Sequence, residues 1–197
     1  ENIATLVEPP GSSLDERTWL ASVLAGCGNA LLLDLHNVWS NAVNFGFDPV
    51  ALLDALPLGR VSTIHLAGGK ALAEGRWLDD HKHPVPDPVY ELLAWVAART
   101  PQALTVILER DGAFAGVTPL LAEVDLARAA VRRGRERPVE HWPSPVTPIA
   151  GERMDARWQK RLAEAYVTGE AGGLGVEVDA AGLRMAARSF ARKRGAT

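Results

Sequence analysis

The chain has 197 residues, of which 47% are apolar and 23% charged, so it can bury a sizeable core and is not disordered overall. Its net charge of −3 at pH 7 provides no general electrostatic reason to expect nucleic acid or an anionic membrane as a partner. Cys27 is the single cysteine, which excludes an internal disulfide, and no apolar run approaches the ~20 residues that span a bilayer. We therefore predict a cytoplasmic protein.

The beginning of the chain indicates an incomplete domain, because it opens at Glu1 with ENIATLVEPP and has neither an initiator Met nor a signal-peptide pattern. Ser13 followed by Glu16 has the spacing of a capping box and predicts a helix that reaches about Ala25. Beyond it, short apolar runs rich in Leu, Ile and Val predict parallel strands that are buried on both faces. These runs are residues 30–34 (ALLLD), 60–66 (RVSTIHL) and 103–109 (ALTVILE).

Further helices are predicted where an Asp or Thr stands before a Pro that suits the first helical position. They run from Asp48-Pro49 to about Leu56, from Asp87-Pro88 to about Arg99, and from Thr118-Pro119 to about Arg133. The alternation of strands and helices is typical of an α/β fold, either a barrel or a doubly wound sheet. Three strands cannot close a barrel. If the fold is a barrel, we expect its upstream strands to lie before Glu1.

Composition divides the chain into three predicted parts. Residues 1–134 are predicted to be the C-terminal part of a TIM-type β/α barrel, and residues 135–151, rich in Pro and charge, an extended linker. Residues 152–197 are predicted to form a small helical appendage with helices near residues 154–168 and 179–193. A docking role for this appendage is one possibility, but its sequence is not diagnostic.

Side chains that can bind a metal follow each predicted strand. Asp34, His65 and Glu109 end the three apolar runs, and active sites of parallel β/α folds lie at the carboxyl ends of the strands. Asp79 and His81 lie two residues apart in the loop after the second strand, so in an extended segment they would point the same way. A mixed carboxylate and imidazole set suits iron, manganese or zinc.

Other residues near these positions have less specific interpretations. Asn37 lies just past Asp34 and is predicted either to bind the cofactor or to donate a hydrogen bond, although Asn in a loop is most often turn chemistry. Gly68-Gly69 predicts a tight turn with close backbone approach. Cys27 is predicted to be core. Trp39, Trp77 and Trp95 are predicted to pack or to line the mouth of the site.

Several motifs in order resemble one family over roughly residues 1–130. They are ENIA (1–4), LLLDLHNVWSNAVNFGFDP (31–49), IHLAGG (64–69), LDDHKHPVPDPVYELL (78–93) and LERDG (108–112). The family is DUF692, also called UPF0276, whose characterised members are multinuclear non-heme iron-dependent oxidases that modify ribosomal peptides.

The resemblance implies a β/α barrel that holds two or three iron ions at its strand ends. By matching motifs, the implied metal ligands are Glu1, Asp34, His65, Asp79, His81 and Glu109. The chain departs from the family at His36, where the family usually has Asn. It also lacks the family's upstream strands, which carry further His ligands, so the resemblance implies an incomplete enzyme.

The resemblance further implies an O₂-dependent modification of Cys residues in a ribosomally made precursor peptide, usually with a partner protein that holds the leader peptide. Two other functions stay open on the residues alone. One is a divalent-metal barrel of the sugar isomerase or endonuclease type, which metal identity would distinguish. The other is a non-catalytic barrel remnant that acts as an interaction element.

Overall fold

The structure, a computed structural model, describes residues 1–6, 13–72 and 75–136, together with residue 164. In chain order its elements are α1 (Glu16–Gly26), β1 (Leu31–Asp34), α2 (Leu35–Phe45), α3 (Pro49–Asp54), a 3₁₀ turn (Leu58–Arg60), β2 (Val61–Leu66), β3 (Gly69–Ala71), β4 (Trp77–Asp79), α4 (Asp87–Arg99), β5 (Thr105–Leu108) and α5 (Val117–Glu136).

The predicted strands form one parallel sheet in the order β1-β2-β5, with helices between them along the chain. Asp34 stands beside His65 in the register, and His65 stands beside Ile107. The α/β class predicted from the sequence is therefore confirmed in its coarse form. The closed TIM-type barrel stays a prediction, because the described strands make an open sheet.

One apolar cluster holds the sheet and the helices together. Leu33 of β1 and Ile64 of β2 are fully buried, and so is Leu93 of α4, while Trp95 is 1% exposed. Burying a side chain of this size contributes about 1.5–3 kcal/mol. This core holds the strands in place and with them the side chains at their carboxyl ends.

Two predictions of burial are wrong. β5 is an edge strand of the described sheet, so Thr105 and Ile107 are exposed rather than buried on both faces. Cys27 was predicted to be core but is half-buried, because it is the residue that ends α1, where its N–H donates to the Val23 carbonyl at 3.0 Å.

The helix starts agree in part with the sequence patterns. Asp48 caps α3 as predicted, its Oδ1 accepting from the Val50 N–H at 2.9 Å. The capping box at Ser13 is wrong, because Asp15 lies next to the first helical residue and its carboxylate reaches the Thr18 N–H at 2.7 Å. Asp87 is the first residue of α4 rather than its cap, which is Pro86.

The segment after β1, where the sequence predicts Asn37 in a loop, is the helix α2. The Asp34 Oδ1 caps it by accepting from the Asn37 N–H at 2.7 Å, and Gly46 ends it in the left-handed conformation with φ 70°. Several polar residues of α2 are buried, so this segment does not show the separate apolar and polar faces by which a helix is predicted from sequence. Buried polar residues of α2 are His36, Asn37, Ser40 and Asn41.

A hairpin that the sequence did not predict carries Asp79 to the site. β3 and β4 pair antiparallel, with Gly69 opposite Asp79. Asn44 of α2 holds β4 in place, since its Oδ1 accepts from the Trp77 N–H at 2.8 Å and its Nδ2 donates to the Trp77 carbonyl at 3.0 Å. The hairpin therefore lies against α2.

The predicted linker and appendage, residues 135–151 and 152–197, lie outside the described residues except for 135, 136 and 164. The division into three parts thus stays a prediction, and α5 runs through Glu136. Within the part of the chain that the structure describes, none of the helices has the length and apolar character needed to cross a membrane.

Candidate metal centre

The parallel register brings the three strand ends together. Asp34 and His65 are register partners, and Glu109 follows Leu108, its N–H donating to the Leu66 carbonyl at 2.8 Å. Since side chains alternate along a strand, Glu109 lies on the same side as Ile107, the partner of His65. The three candidate ligands therefore share the carboxyl edge of the sheet.

The first residues of the chain are held at the same edge by Asn2, which is 1% exposed. Its side chain pairs with β1 as a neighbouring strand would: Nδ2 donates to the Asp34 carbonyl and Oδ1 accepts from the Asp34 N–H, both at 2.9 Å. Asn37 Nδ2 donates to the Asn2 carbonyl at 3.0 Å. These bonds place Glu1 next to His65.

We call Glu1, Asp34, His65 and Glu109 the strand-end cluster; each offers one ligand atom, and these atoms lie within 4.8 Å of one another. His65 Nδ1 is 3.1 Å from Glu109 Oε2 and 3.3 Å from Glu1 Oε1. Despite this proximity, Nδ1 is buried without a hydrogen-bond partner, and so is Asp34 Oδ2. Carboxylate oxygens and an imidazole nitrogen gathered at such short distances form a donor set that can hold a cation.

The electrostatics of Asp34 support the same conclusion. The side chain is fully buried. Burial raises the pKa of Asp34 to about 7, against the backbone hydrogen bond from Asn37, and the negative charges of Asp79 and Glu1 add to the rise. A cation at the strand-end cluster would supply the opposite charge and keep this carboxylate ionised.

We call His36, Asp79 and His81 the hairpin cluster, a second group with ligand atoms within 4.8 Å. Asp79 Oδ1 lies 2.8 Å from His36 Nδ1 and 2.9 Å from His81 Nε2. Asp79 and His81 belong to the same cluster without sharing an extended segment, because His81 has φ 53°. Backbone bonds hold that conformation: the His81 N–H donates to the Gly68 carbonyl at 2.9 Å, and the His81 carbonyl accepts from the Asp111 N–H at 2.8 Å.

His81 joins the two clusters. Its Nδ1 lies 3.5 Å from Glu109 Oε1 and 3.6 Å from Asp111 Oδ2. Burial lowers the pKa of His81, but the surrounding carboxylates, Asp79 and Glu109 foremost, outweigh burial and raise it above its usual range. Within the described residues, the ligands predicted from sequence thus lie side by side at one end of the sheet.

Some residues of the site were missed by sequence reasoning. Asn2 stands in the motif ENIA, but its role had no local signal, because it depends on pairing with a residue 32 positions away. Asp111 lies two residues past Glu109, a spacing that could have indicated it. His36 drew notice only as a departure from the family. Asn37, a predicted cofactor-binding residue, donates to Asn2 while its Oδ1 is buried and unpaired.

The aromatic residues divide between site and core. Trp39 and Trp77 meet edge to face with ring centroids 4.6 Å apart beside His36. Trp95 is a core residue on α4, with the Arg99 guanidinium 3.7 Å from its ring centroid. His83, on the loop after Asp79, is turned away to Asp80 and is not part of either cluster.

Comparison with known proteins gives a family match over residues 1–132, to the model described as RiPP precursor modification enzyme MbnB/TglH/ChrH. Similar proteins include a UPF0276 protein of Bordetella bronchiseptica, 43% identical over 138 residues, and a UPF0276 protein of Caulobacter vibrioides, 41% identical over 137 residues. Each match covers 68% of this chain.

A UPF0276 protein of Streptomyces avermitilis is 39% identical over 137 residues, which is 70% of this chain but 27% of that protein. The matches cover 47% of the Bordetella protein and 48% of the Caulobacter protein. The chain therefore spans about half the length of these two relatives and a smaller share of the Streptomyces protein.

Proposed function

The chain belongs to the MbnB/TglH/ChrH family of RiPP precursor modification enzymes, the DUF692 or UPF0276 family that its motifs resemble, and on this premise we propose its activity. We propose a multinuclear non-heme iron-dependent oxidase that carries out O₂-dependent modification of Cys residues in a ribosomally made precursor peptide. The strands of this chain would be the C-terminal part of a TIM-type barrel, and the protein would work in the cytoplasm.

One observation carries the proposal: the strand-end cluster holds two buried ligand atoms, Asp34 Oδ2 and His65 Nδ1, that have no hydrogen-bond partner. An unpaired buried polar atom costs about 1–3 kcal/mol, so two in one cluster call for an explanation. A bound cation satisfies both at once.

The donor set limits the identity of the metal. Carboxylate oxygens and imidazole nitrogens suit iron, manganese and zinc, and Cys27, at the end of α1, is not among the grouped ligands. Family membership favours iron among these. We propose that two or three iron ions are held by Glu1, Asp34, His65, Asp79, His81 and Glu109. Asn37 lies beside them, bonded to Asp34 and Asn2.

Bound iron would supply redox capacity and Lewis acidity toward O₂ and a substrate thiolate. The residues of this chain hold the donors in place. Asp34 is aimed by its own hydrogen bond to the start of α2, which leaves Oδ2 toward the cluster. Glu109 lies between His65 and His81, so it can serve both parts of the centre. A leader-peptide-binding partner protein is also proposed on family grounds.

The test uses the full-length protein, purified without oxygen, with metal content measured by mass spectrometry. A candidate substrate is a short peptide with Cys residues encoded beside the gene. We expect bound iron and an O₂-dependent change in peptide mass that a Cys→Ser peptide does not show. Activity with zinc or manganese but never with iron would overturn the oxidase in favour of an isomerase or hydrolase. A metal-free, inactive full-length protein would overturn it in favour of a non-catalytic remnant.

A further inference from the structure

Arg110 stands between two residues whose carboxylates approach His81, Glu109 and Asp111, but its own side chain turns to α5. Its Nη2 donates to both carboxylate oxygens of Glu123, at 2.7 and 2.9 Å. The two side chains are 8% and 11% exposed, so the ion pair is almost removed from water. It belongs to neither metal-binding cluster.

Glu123 holds a second segment of the site with the same carboxylate. Its Oε2 accepts from the Val85 N–H at 2.9 Å. Val85 is buried, follows His81 by four residues and lies two residues before the start of α4. One side chain of α5 therefore holds both the segment after β5 and the end of the loop that carries His81.

α5 is a firm base for these contacts because it packs closely against α4. Gly134 allows the close approach, since a Cβ there would lie 2.1 Å from the Ala94 carbonyl oxygen. Ala127 and Ala130 of α5 are also buried in the core. The packing of the two helices thus gives the carboxylate of Glu123 a defined place relative to the sheet.

The two segments that Glu123 holds also meet at the site. The His81 carbonyl accepts from the Asp111 N–H at 2.8 Å, a bond that joins the segments to each other, while Glu123 joins both to the helices. We infer that Glu123 is a positioning residue of the metal centre, which acts through Arg110 on Glu109. The metal centre itself is taken from the proposed function.

The test removes the ion pair without leaving a charge behind. Loss of one partner alone would leave a buried charge uncompensated and destabilise the whole fold, whereas replacing both partners by uncharged side chains of similar volume is often close to neutral. The variant is therefore Arg110→Met with Glu123→Gln, in which the Gln carbonyl can still accept from the Val85 N–H. Circular dichroism and denaturant unfolding check its fold.

Metal affinity is the first measurement, in the full-length protein with Zn²⁺ as the probe against a competing chelator. We expect the double variant to bind one Zn²⁺ equivalent about 10–100-fold more weakly than the wild type, the usual effect of losing a group that orients a ligand. Wild-type affinity in a folded double variant would overturn the inference.

Amide hydrogen exchange in the metal-free protein, followed by NMR, measures the same positioning without an ion. In the double variant the Asp111 N–H should exchange faster, because the segment after β5 loses its connection to α5, while the Val85 N–H stays protected. Unchanged exchange at Asp111 would overturn the inference. If the wild type takes up no Zn²⁺, the proposed metal centre fails, and this measurement still decides the role of Glu123.

The matched control is Arg133→Met with Glu91→Gln. These residues form another ion pair between α5 and α4, with Arg133 Nη2 2.6 Å from Glu91 Oε1, but their side chains are 46% and 35% exposed. The control should leave both Zn²⁺ affinity and the exchange of Asp111 unchanged. A loss of affinity as large as in the first variant would assign the effect to the packing of the helices and overturn the inference.

A second variant, Glu123→Asp, gives the decision if the double variant does not fold. It keeps the charge that compensates Arg110, but the side chain is one methylene shorter and cannot reach Arg110 and the Val85 N–H at their present distances. We expect a folded protein that binds one Zn²⁺ equivalent about tenfold more weakly and exchanges the Asp111 N–H faster. Wild-type affinity and exchange in this variant would overturn the positioning role.

Discussion

The strand-end cluster and the hairpin cluster both consist of carboxylates and imidazoles. They differ in whether their buried polar atoms have hydrogen-bond partners. In the hairpin cluster His36 and His81 both lie within hydrogen-bond distance of Asp79, so it is internally paired. In the strand-end cluster Asp34 Oδ2 and His65 Nδ1 are buried and unpaired. The first can persist without an ion, whereas the second is left with unsatisfied groups.

The cause of the difference lies in the elements that supply the side chains. The hairpin cluster is built from α2, β4 and the loop after it, where the donor Trp77 directs the ring of His36. The strand-end cluster comes from separate strands whose ends converge, and Asp34 Oδ2 and His65 Nδ1 are left there without a hydrogen-bond partner. Convergence of strand ends alone thus produces a site that needs an external charge. The predictions that follow test this contrast.

The largest effect is expected for Asp34→Asn in the full-length protein. Asn keeps the size of Asp and can still accept from the Asn37 N–H, but it removes the charge that a cation needs. Iron affinity should fall by more than the roughly 10–100-fold that loss of an outer hydrogen bond costs. Turnover of the peptide with O₂ should be abolished, while circular dichroism should show the wild-type fold.

The control for that variant is Asp54→Asn, at the end of α3 on an exposed surface. It should change neither iron content nor turnover. Unchanged iron and full activity in Asp34→Asn would remove Asp34 from the site and with it the contrast between the clusters.

The next effect concerns the pH dependence of the metal-free protein. Because burial raises the pKa of Asp34 from 3.8 to about 7, the folded state holds this proton more tightly than the unfolded state does. Stability is therefore lost as pH rises between these values, by up to about 4 kcal/mol from this group. Measured by denaturant unfolding, the free energy of unfolding of Asp34→Asn relative to the wild type should rise by a few kcal/mol from pH 4 to pH 8. A difference that does not change with pH would contradict this prediction.

A smaller effect is expected for Gly68→Ala, which acts on the hairpin side. A Cβ at Gly68 would lie 2.0 Å from the His83 carbonyl oxygen and 2.3 Å from that of Pro84, so the loop must move. We expect a loss of about 3 kcal/mol in the free energy of unfolding and weaker metal binding at His81, whose N–H donates to Gly68. Gly59→Ala is the control, since a Cβ there meets nothing within 4 Å.

The smallest effect is expected for Asn44→Ala, which removes the two hydrogen bonds that tie β4 to α2. At the usual net value of a hydrogen bond, the free energy of unfolding should fall by about 1–2 kcal/mol. Because Trp77 then loses its anchor, metal binding at the hairpin cluster should weaken, while the strand-end cluster still binds metal. Unchanged metal binding at the hairpin cluster would show that Asn44 is not needed to hold β4 in place.

Much of this arrangement could be predicted from local pattern. The strands were predicted because runs such as ALLLD and TVIL are short, apolar and rich in branched side chains. α2 could not be predicted in this way, since its buried face carries His36 and Asn41 in place of apolar residues. The hairpin was missed because β3 and β4 are three residues each, too short for periodicity to indicate a strand.

The sequence by itself determined the α/β class, the family and which residues stand at the ends of the strands, because these depend on local composition and on ordered motifs. Only the tertiary structure decided which of those residues meet and which of their buried polar atoms have hydrogen-bond partners. Asn2 reaches Asp34 across 32 positions, and Trp77 reaches His36 across 41, so neither contact has a local signature. The chemistry of a buried side chain depends on the donors and acceptors that packing brings to it, and packing is long-range.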